Sequence, residues 1–495
     1  MKVGDMRCKA LCVAACFVFA GGASFAYDDS MLMMPEGARM EFAEDGNFLI
    51  NGKPRFLIGN LYYAHYGTGE LVRGPGYGEK DAWIYESIPD RAYLQRLGFD
   101  TSGGEVSSSW IGKYRIPRRH YQARNCIEWG VASNYWNAGL PMVVDFTCAT
   151  WSHGGISHVK GVEPVERAFV KDCHFMYYSL VTPEGRSLWQ EMWRSGAEEL
   201  KANGAKPYVY ELFNEPYYDD RSPYARKAFA VYLSRKWNGD AAAMDKAWGT
   251  SYGSFAAAAG FKSPNDSVGL GVEWHKFREA CFASGIKLGI ETIRKVDPAA
   301  RFAFQPLARH RSLVSVMDSC RLCEVAMTPT GGGTFYDDIV LRALSDGKPI
   351  IDGETYLGRT RKSHRSKLVT QWARGINASY YFKWERRMRE IKKDNPLECL
   401  KRQGERFPWL GLNPAYVPPD ELVGIMNAKR DIFAMQDLFA PRMRGIPCAQ
   451  RAATLFSMPT ERLGEATEGM CRFFAETTAQ ALALDVHVPL DAVLE

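Results

Sequence analysis

The chain lacks any long apolar stretch beyond its first 26 residues. Nothing after them reaches the roughly 18 consecutive apolar residues that a membrane-spanning helix needs. It also lacks an excess of either charge. With 62 basic and 57 acidic residues and a formal net charge of +5, it offers no field for nucleic acid. There is no internal repeat and no low-complexity tract, which excludes a solenoid and a disordered tail. The glycine-rich stretch Gly331, Gly332, Gly333, Thr334 lacks the Gly-Lys-Ser/Thr ending of a phosphate loop. Cys320 and Cys323 form a CxxC with no second CxxC and no thioredoxin-like strand before it, so a buried or disulfide-bonded pair is the simpler reading. His65 and His153 fall in loops without ligand spacing. No metal and no cofactor is expected.

The composition that is present is that of a globular chain: 46% hydrophobic, 13% aromatic and 24% charged over 495 residues. This exceeds one ordinary domain of about 100 to 200 residues, so several domains or one large barrel with an appendage are expected. At the start, Lys2, Arg7 and Lys9 precede the apolar run ALCVAACFVFAGGASFA, and Ser24, Phe25 and Ala26 form a small-residue cleavage site. Residues 1–26 thus read as a secretory signal, which predicts a secreted or periplasmic protein. Lipid anchoring at Cys16 is the alternative. Three of the 12 cysteines (Cys8, Cys12, Cys16) lie in that segment, and the nine that remain leave at least one thiol unpaired within the chain.

From residue 45 onward, short apolar runs alternate with amphipathic ones. After FLING, read as a hairpin arm, come RFLIGNLYY, FDTSGGEVSSSW, GLPMVVDFT, PYVYELFNEP, RFAFQP, CEVAMTP, KPIIDGETYLG and ASYYFKWE. Strands covered by helices on their faces read as such continuous runs. Eight of them predict an α/β fold, a (β/α)8 TIM barrel over residues 27–405, with a doubly wound open sheet as the rival. A proline-rich connector and a helix are expected over 406–445. Over 446–495, strand RAATLFS, helix TEGMCRFFAETTAQALAL and strand DVHVPL read as a partial, truncated α/β domain.

In such a barrel, catalytic groups sit at the carboxyl ends of the strands. Asn214 and Glu215 end the fourth run, where Pro216 stops further ladder bonding. Glu354 ends the seventh. A closed barrel brings these two to facing sides of one cavity, and two facing carboxylates are what glycosidic bond cleavage needs. One protonates the leaving oxygen and the other attacks the anomeric carbon. About 5 to 5.5 Å between the carboxyl groups means retention, and roughly 6.5 to 9.5 Å means inversion. Desolvation by Phe213, Tyr217 and Tyr218 is expected to raise the pKa of Glu215, which assigns it as general acid then base, with Glu354 ionised as nucleophile. Asn214 would hold the sugar 2-hydroxyl.

The Asn-Glu-Pro of the fourth run and the glutamate of the seventh resemble the clan A retaining glycoside hydrolases. LIGNLYYAHY, KAFAVYLSRKWNGDAAAMDKAWGTSYGSF and INASYYFKWERR narrow the resemblance, which covers about residues 50 to 390, to glycoside hydrolase family 42, the β-galactosidases. The resemblance implies Glu215 as acid/base, Asn214 beside it, Glu354 as nucleophile and Trp384 as a stacking platform for the sugar, often in a homo-oligomer. Tyr63 at the first rim and Tyr336, in the loop GGGTFYDD, join the candidate substrate-binding residues. Tyr62, Tyr63, Ala64, His65, the pair Asp352 and Gly353, and the pair Gln305 and Pro306 depart from the family pattern, and its four-cysteine zinc spacing has no counterpart. The departures line the sugar, so they bear on which sugar is bound more than on hydrolysis. The expected function is a secreted retaining glycosidase acting on a β-linked carbohydrate. An endo-acting mannanase or agarase type, a transglycosylase or a non-catalytic carbohydrate-binding relative would use the same scaffold.

Overall fold

The computed structural model describes residues 32–61, 71–73, 83–85, 100–105, 110–111, 114–115, 142–146, 167–202, 207–306, 321–328, 335–356, 361–382, 419–439, 452–456 and 490–494, apart from positions 33, 36, 44, 45, 169, 171, 172, 174, 175 and 177. The segment 1–26 lies outside them. Among the described residues no helix is long and apolar enough to cross a membrane.

All eight expected strands are present: β1 (Leu57–Leu61), β2 (Thr101–Glu105), β3 (Met142–Asp145), β4 (Pro207–Asn214), β5 (Phe302–Gln305), β6 (Ala326–Met327), β7 (Ile350–Tyr356) and β8 (Ala378–Phe382). They form one eight-stranded sheet in the order β5-β4-β3-β2-β1-β8-β7-β6, and every paired neighbour is parallel. Between the strands at the two ends of that order, Val325 N donates to Phe302 O at 3.1 Å. The hydroxyls of Tyr208 on β4 and Tyr380 on β8 also touch. Four strand spacings lie between those strands in the order, about 19 Å if the sheet were flat, so the sheet is strongly curled.

Helices α1 (Pro183–Ala202), α5 (Val268–Arg294), α6 (Phe335–Ser345) and α7 (Arg361–Ala373) lie against one face of the sheet, with α2 (Pro223–Lys236), α3 (Ala241–Trp248) and α4 (Phe255–Ala259) grouped around α5 and α8 (Pro419–Phe439) packed on α7. Helix α5 starts where Ser267 accepts from Leu270 N at 3.1 Å. Its buried stripe, Leu270, Trp274, Phe277, Cys281 and Phe282, follows the helical period. At Gly289 the helix comes so near β4 that a Cβ would stand 2.9 Å from Leu212 Cδ2, which is why a side chain is absent there. On β4, Phe213 packs among Trp189, Trp193 and Phe282 at ring separations of 5.2, 5.6 and 4.9 Å. Truncating Phe213 to alanine would cost about 3 to 5 kcal/mol.

Alternation then assigns the other face. Phe302 packs on Tyr210 and Phe304 on Phe282, both toward the helices, so Ala303 and Gln305 face inward. Asp145 and Glu211, paired in register on β3 and β4, are buried on that same inner face.

The expected arm is a three-stranded antiparallel unit, Met40–Phe42, Phe48–Ile50 and Lys53–Pro54, whose buried Phe48 lies edge-on to Tyr208 at 5.8 Å. Helix α8 docks beside β1. Lys429 reaches the buried Asp100 at 2.6 Å, and Gln436 accepts from Phe56 N at 3.1 Å. Toward the C-terminus, Ala452–Phe456 pairs in parallel with Leu490–Leu494. The first strand lies where RAATLFS predicts it. Its partner begins at Leu490, the last residue of DVHVPL, whose other residues lie outside the described residues. The helix expected between them lies outside the described residues. Cys173 and Cys281 are buried free thiols, and burial pushes both up to about 12, so neither is a ready nucleophile.

Candidate active site

Of the two glutamates singled out by sequence, Glu215 directly follows the last residue of β4, past an interruption of its ladder, and Glu354 lies within an interruption of the β7 ladder, two residues before that strand ends. On β4 the register shifts between Glu211 and Asn214. Leu212 and Phe213 are consecutive yet both turn to the helix side, which is the extra residue a bulge accommodates. Asn214 then pairs with Gln305, and Glu215 takes a left-handed backbone with φ of 48°. A non-glycine residue held there stores about 1 kcal/mol or more and persists only where its surroundings fix it.

The loop after Glu215 supplies that fixing. Asp219 accepts from Trp274 Nε1 at 2.8 Å and Arg221 Nε at 2.9 Å, and Arg278 stands 3.6 Å away. Arg278 also donates to Tyr218 O at 2.5 Å and lies over the Tyr217 ring at 5.1 Å. Asp220 accepts from Ser179 Oγ at 2.8 Å, Tyr218 Oη at 3.1 Å and Ser222 N at 2.9 Å, while Tyr218 Oη accepts from Leu180 N at 3.0 Å. Burial would raise Asp219, but Arg278, Arg221 and Trp274 outweigh it and hold its carboxyl below the usual range. Tyr218 is pushed well above its ordinary value by burial and by Asp220, so its hydroxyl stays a donor. The pair of aspartates in YYDD therefore fastens the β4 exit onto α5 and the start of α1.

On β7 the register shifts between Asp352 and Thr355. Asp352 points toward the helices, where it accepts from Thr328 Oγ1 at 3.2 Å, Glu354 N at 3.1 Å, Thr355 Oγ1 at 2.5 Å and Gln371 Nε2. Thr355 in turn meets Ser379 Oγ at 2.6 Å. The buried carboxylate thus closes a small turn around Gly353 and Glu354. Gly353 faces inward, where a Cβ would come within 2.3 Å of Met327 Cε and 2.6 Å of Gln305 Oε1.

Gln305 joins the two strands. Its carbonyl accepts from Glu215 N at 2.8 Å, and its side chain lies over Gly353, the neighbour of Glu354. Glu354 is 4% exposed and Glu215 half-buried, the reverse of the desolvation order from which the acid role of Glu215 is argued.

Of the other sequence candidates, Tyr63 and Trp384 lie outside the described residues, as do His65 and His153. Tyr336 is in the first turn of α6, because FYDDIVLRALS continues the helix back through the stretch read as a loop. The Trp-Gly-Thr segment ends α3. Gly249 caps the helix with φ of 66°, Thr250 Oγ1 bonds Asp245 at 2.7 Å, and Trp248 packs on Gly269, all of them structural tasks. Asp352, Gln305 and the Asp219, Trp274 and Arg278 clamp carry no motif. The signal that would have found the first two is the mismatch between a polar residue and an otherwise apolar buried strand.

No protein-family model matches this sequence, and no curated protein matches it either. Solved structures do match. A β-galactosidase from the psychrophilic Marinomonas ef1 aligns with a TM-score of 0.59 and 14% identity, over 88% of this chain and 70% of that one. The apo exo-carrageenase GH42 from Bacteroides ovatus aligns with 0.59 and 13%, over 92% and 61%. A polyextremophilic β-galactosidase from the Antarctic haloarchaeon Halorubrum lacusprofundi aligns with 0.57 and 14%, over 88% and 66%. The chain spans 61 to 70% of the length of these three proteins. The parallel sheet and its helical cover share the fold of these solved β-galactosidases and of the GH42 exo-carrageenase.

Proposed function

We propose that the protein is a retaining β-glycosidase of clan A type, its eight strands closing into a (β/α)8 barrel with Glu215 as acid/base and Glu354 as nucleophile. The observation that carries this reading is that Glu215 follows a register shift at the carboxyl end of β4, that Glu354 lies within one near the carboxyl end of β7, and that Gln305 bridges the two. Glu354 attacks the anomeric carbon as Glu215 protonates the departing oxygen, giving a glycosyl-enzyme. Glu215 then takes a proton from water, which attacks the same carbon and releases the sugar with its configuration kept. Asn214, beside the acid/base, hydrogen-bonds the 2-hydroxyl, and Tyr63, Tyr336 and Trp384 complete the sugar contacts. We place the enzyme outside the cytoplasm, with residues 1–26 as its signal. A β-linked sugar is the substrate class, and β-galactosides head the panel because β-galactosidases are among the fold neighbours.

The test is a panel of aryl β-glycosides hydrolysed by the parent, Glu215→Ala and Glu354→Ala, with azide as an external nucleophile. On this assignment Glu354→Ala yields the α-glycosyl azide and Glu215→Ala the β-glycosyl azide. A second reading exchanges the two roles, because Glu354 is the more buried of the two carboxylates. That reading predicts the opposite anomer from each variant. Cleavage of polymer and not of aryl glycosides would indicate an endo-acting enzyme. Sugar binding with no turnover in the parent would make the protein a binding relative.

A further inference from the structure

Gln305 is fully buried on the inner face, and among the described residues neither its Nε2 nor its Oε1 has a hydrogen-bond partner. A buried amide in that state is costly, and natural chains keep such groups where a partner arrives from outside. Two further observations say where it arrives. The backbone of Gln305 is tied to Glu215 by the 2.8 Å bond from Glu215 N, so the residue is fixed relative to the acid/base. Its amide lies over Gly353, in space that any side chain at that position would take, with Met327 alongside. The β7 strand therefore leaves room for this amide immediately before Glu354.

We propose that Gln305 is a substrate-binding residue whose amide recognises a pair of adjacent hydroxyls on the sugar held between Glu215 and Glu354. This rests on the glycosidase reading and deepens it. The chemistry of the amide selects the ligand. A carboxylate could accept from Nε2 alone and would leave Oε1 unsatisfied, whereas a vicinal diol accepts from Nε2 with one oxygen and donates to Oε1 with the other. The last torsion of glutamine is soft, so the amide can turn from Gly353 toward an entering ring without movement of β5. At a buried position such as that of Gln305, each such contact carries more weight than at a surface.

The experiment compares the parent, Gln305→Met and Gly353→Ala. Methionine keeps the length of the side chain and removes its polarity. The alanine methyl displaces the amide and keeps the glutamine. The probes are 4-nitrophenyl β-glycosides of galactose, glucose and mannose with their single-deoxy analogues, and the free monosaccharides as thermal-shift ligands. We expect Gln305→Met to raise Tm in the absence of sugar, because an orphaned amide is gone, while lowering kcat/KM by about 10²-fold or more and removing the monosaccharide shift. Gly353→Ala should lose activity in the same direction without the rise in Tm. Deoxy substrates that penalise the parent at two neighbouring positions should cost Gln305→Met nothing further. Turnover and binding unchanged in Gln305→Met, with only the rise in Tm, would overturn the proposal and leave the hydrolase reading standing. A parent that binds a monosaccharide and cleaves nothing would overturn the hydrolase reading, with Gln305 judged on binding alone. A parent that neither binds nor cleaves any of them overturns both.

Discussion

The exits of β4 and β7 solve the same problem, aiming one carboxylate, by different physics. At β4 the backbone of Glu215 is strained, and the restraint comes from outside the strand, through a loop fastened by ionic and aromatic contacts to α1 and α5. At β7 the restraint is internal: a wholly buried carboxylate, Asp352, gathers two hydroxyls, an amide side chain and the Glu354 N–H. The first arrangement is a spring held by a clamp at the edge of the helix layer. The second is a buried polar network, in which every lost partner strands several others.

The sharpest way to break this contrast is Asp352→Ala, which leaves Thr328, Thr355 and Gln371 without their shared acceptor. It should destabilise the fold by about 3 to 5 kcal/mol, measured by urea unfolding, and abolish turnover. A variant of near-parental stability would show that the β7 network is ornamental. At β4 the opposite sign is expected. Glu215→Gly releases the positive φ and should stabilise by about 1 kcal/mol while eliminating hydrolysis, read by the same unfolding curve and by steady-state rates. Lower stability in this variant would mean that Glu215 contributes packing that outweighs its strain. The smallest effect is in pH. Asp219 has a depressed pKa in the folded protein, so its contribution is fully present above the unfolded value of about 3.9 and is lost as pH falls through the folded value. Parental Tm should therefore drop below about pH 4 more steeply than that of Asp219→Asn, whose clamp no longer titrates. Parallel profiles would show that the clamp is insensitive to this charge.

The legibility of the sequence follows the same division. The eight strands were readable because a parallel strand covered on one side by helices and curled on the other must be apolar almost throughout, and RFAFQP or PYVYELFNEP show it directly. The glutamates were readable because each interrupts such a run at its end. Gln305 and Asp352 stood in plain view as departures from a family pattern, but their sides were not readable. Strand alternation resets at a bulge, and Leu212 and Phe213 both facing the helices is a consequence of what α5 presents to them. The final strand, Leu490–Leu494, begins on the last residue of DVHVPL and is set by its pairing with Ala452–Phe456.

Local composition and period, then, determined which eight segments form the parallel sheet and that Glu215 and Glu354 lie near the carboxyl ends of two of them, because burial on two faces is a property a strand carries in its own residues. The three-dimensional packing alone decided the direction in which those carboxylates point, which polar neighbours hold them and which amide lies between. Those outcomes depend on register shifts and side-chain contacts between segments far apart in the chain, and no single segment encodes them.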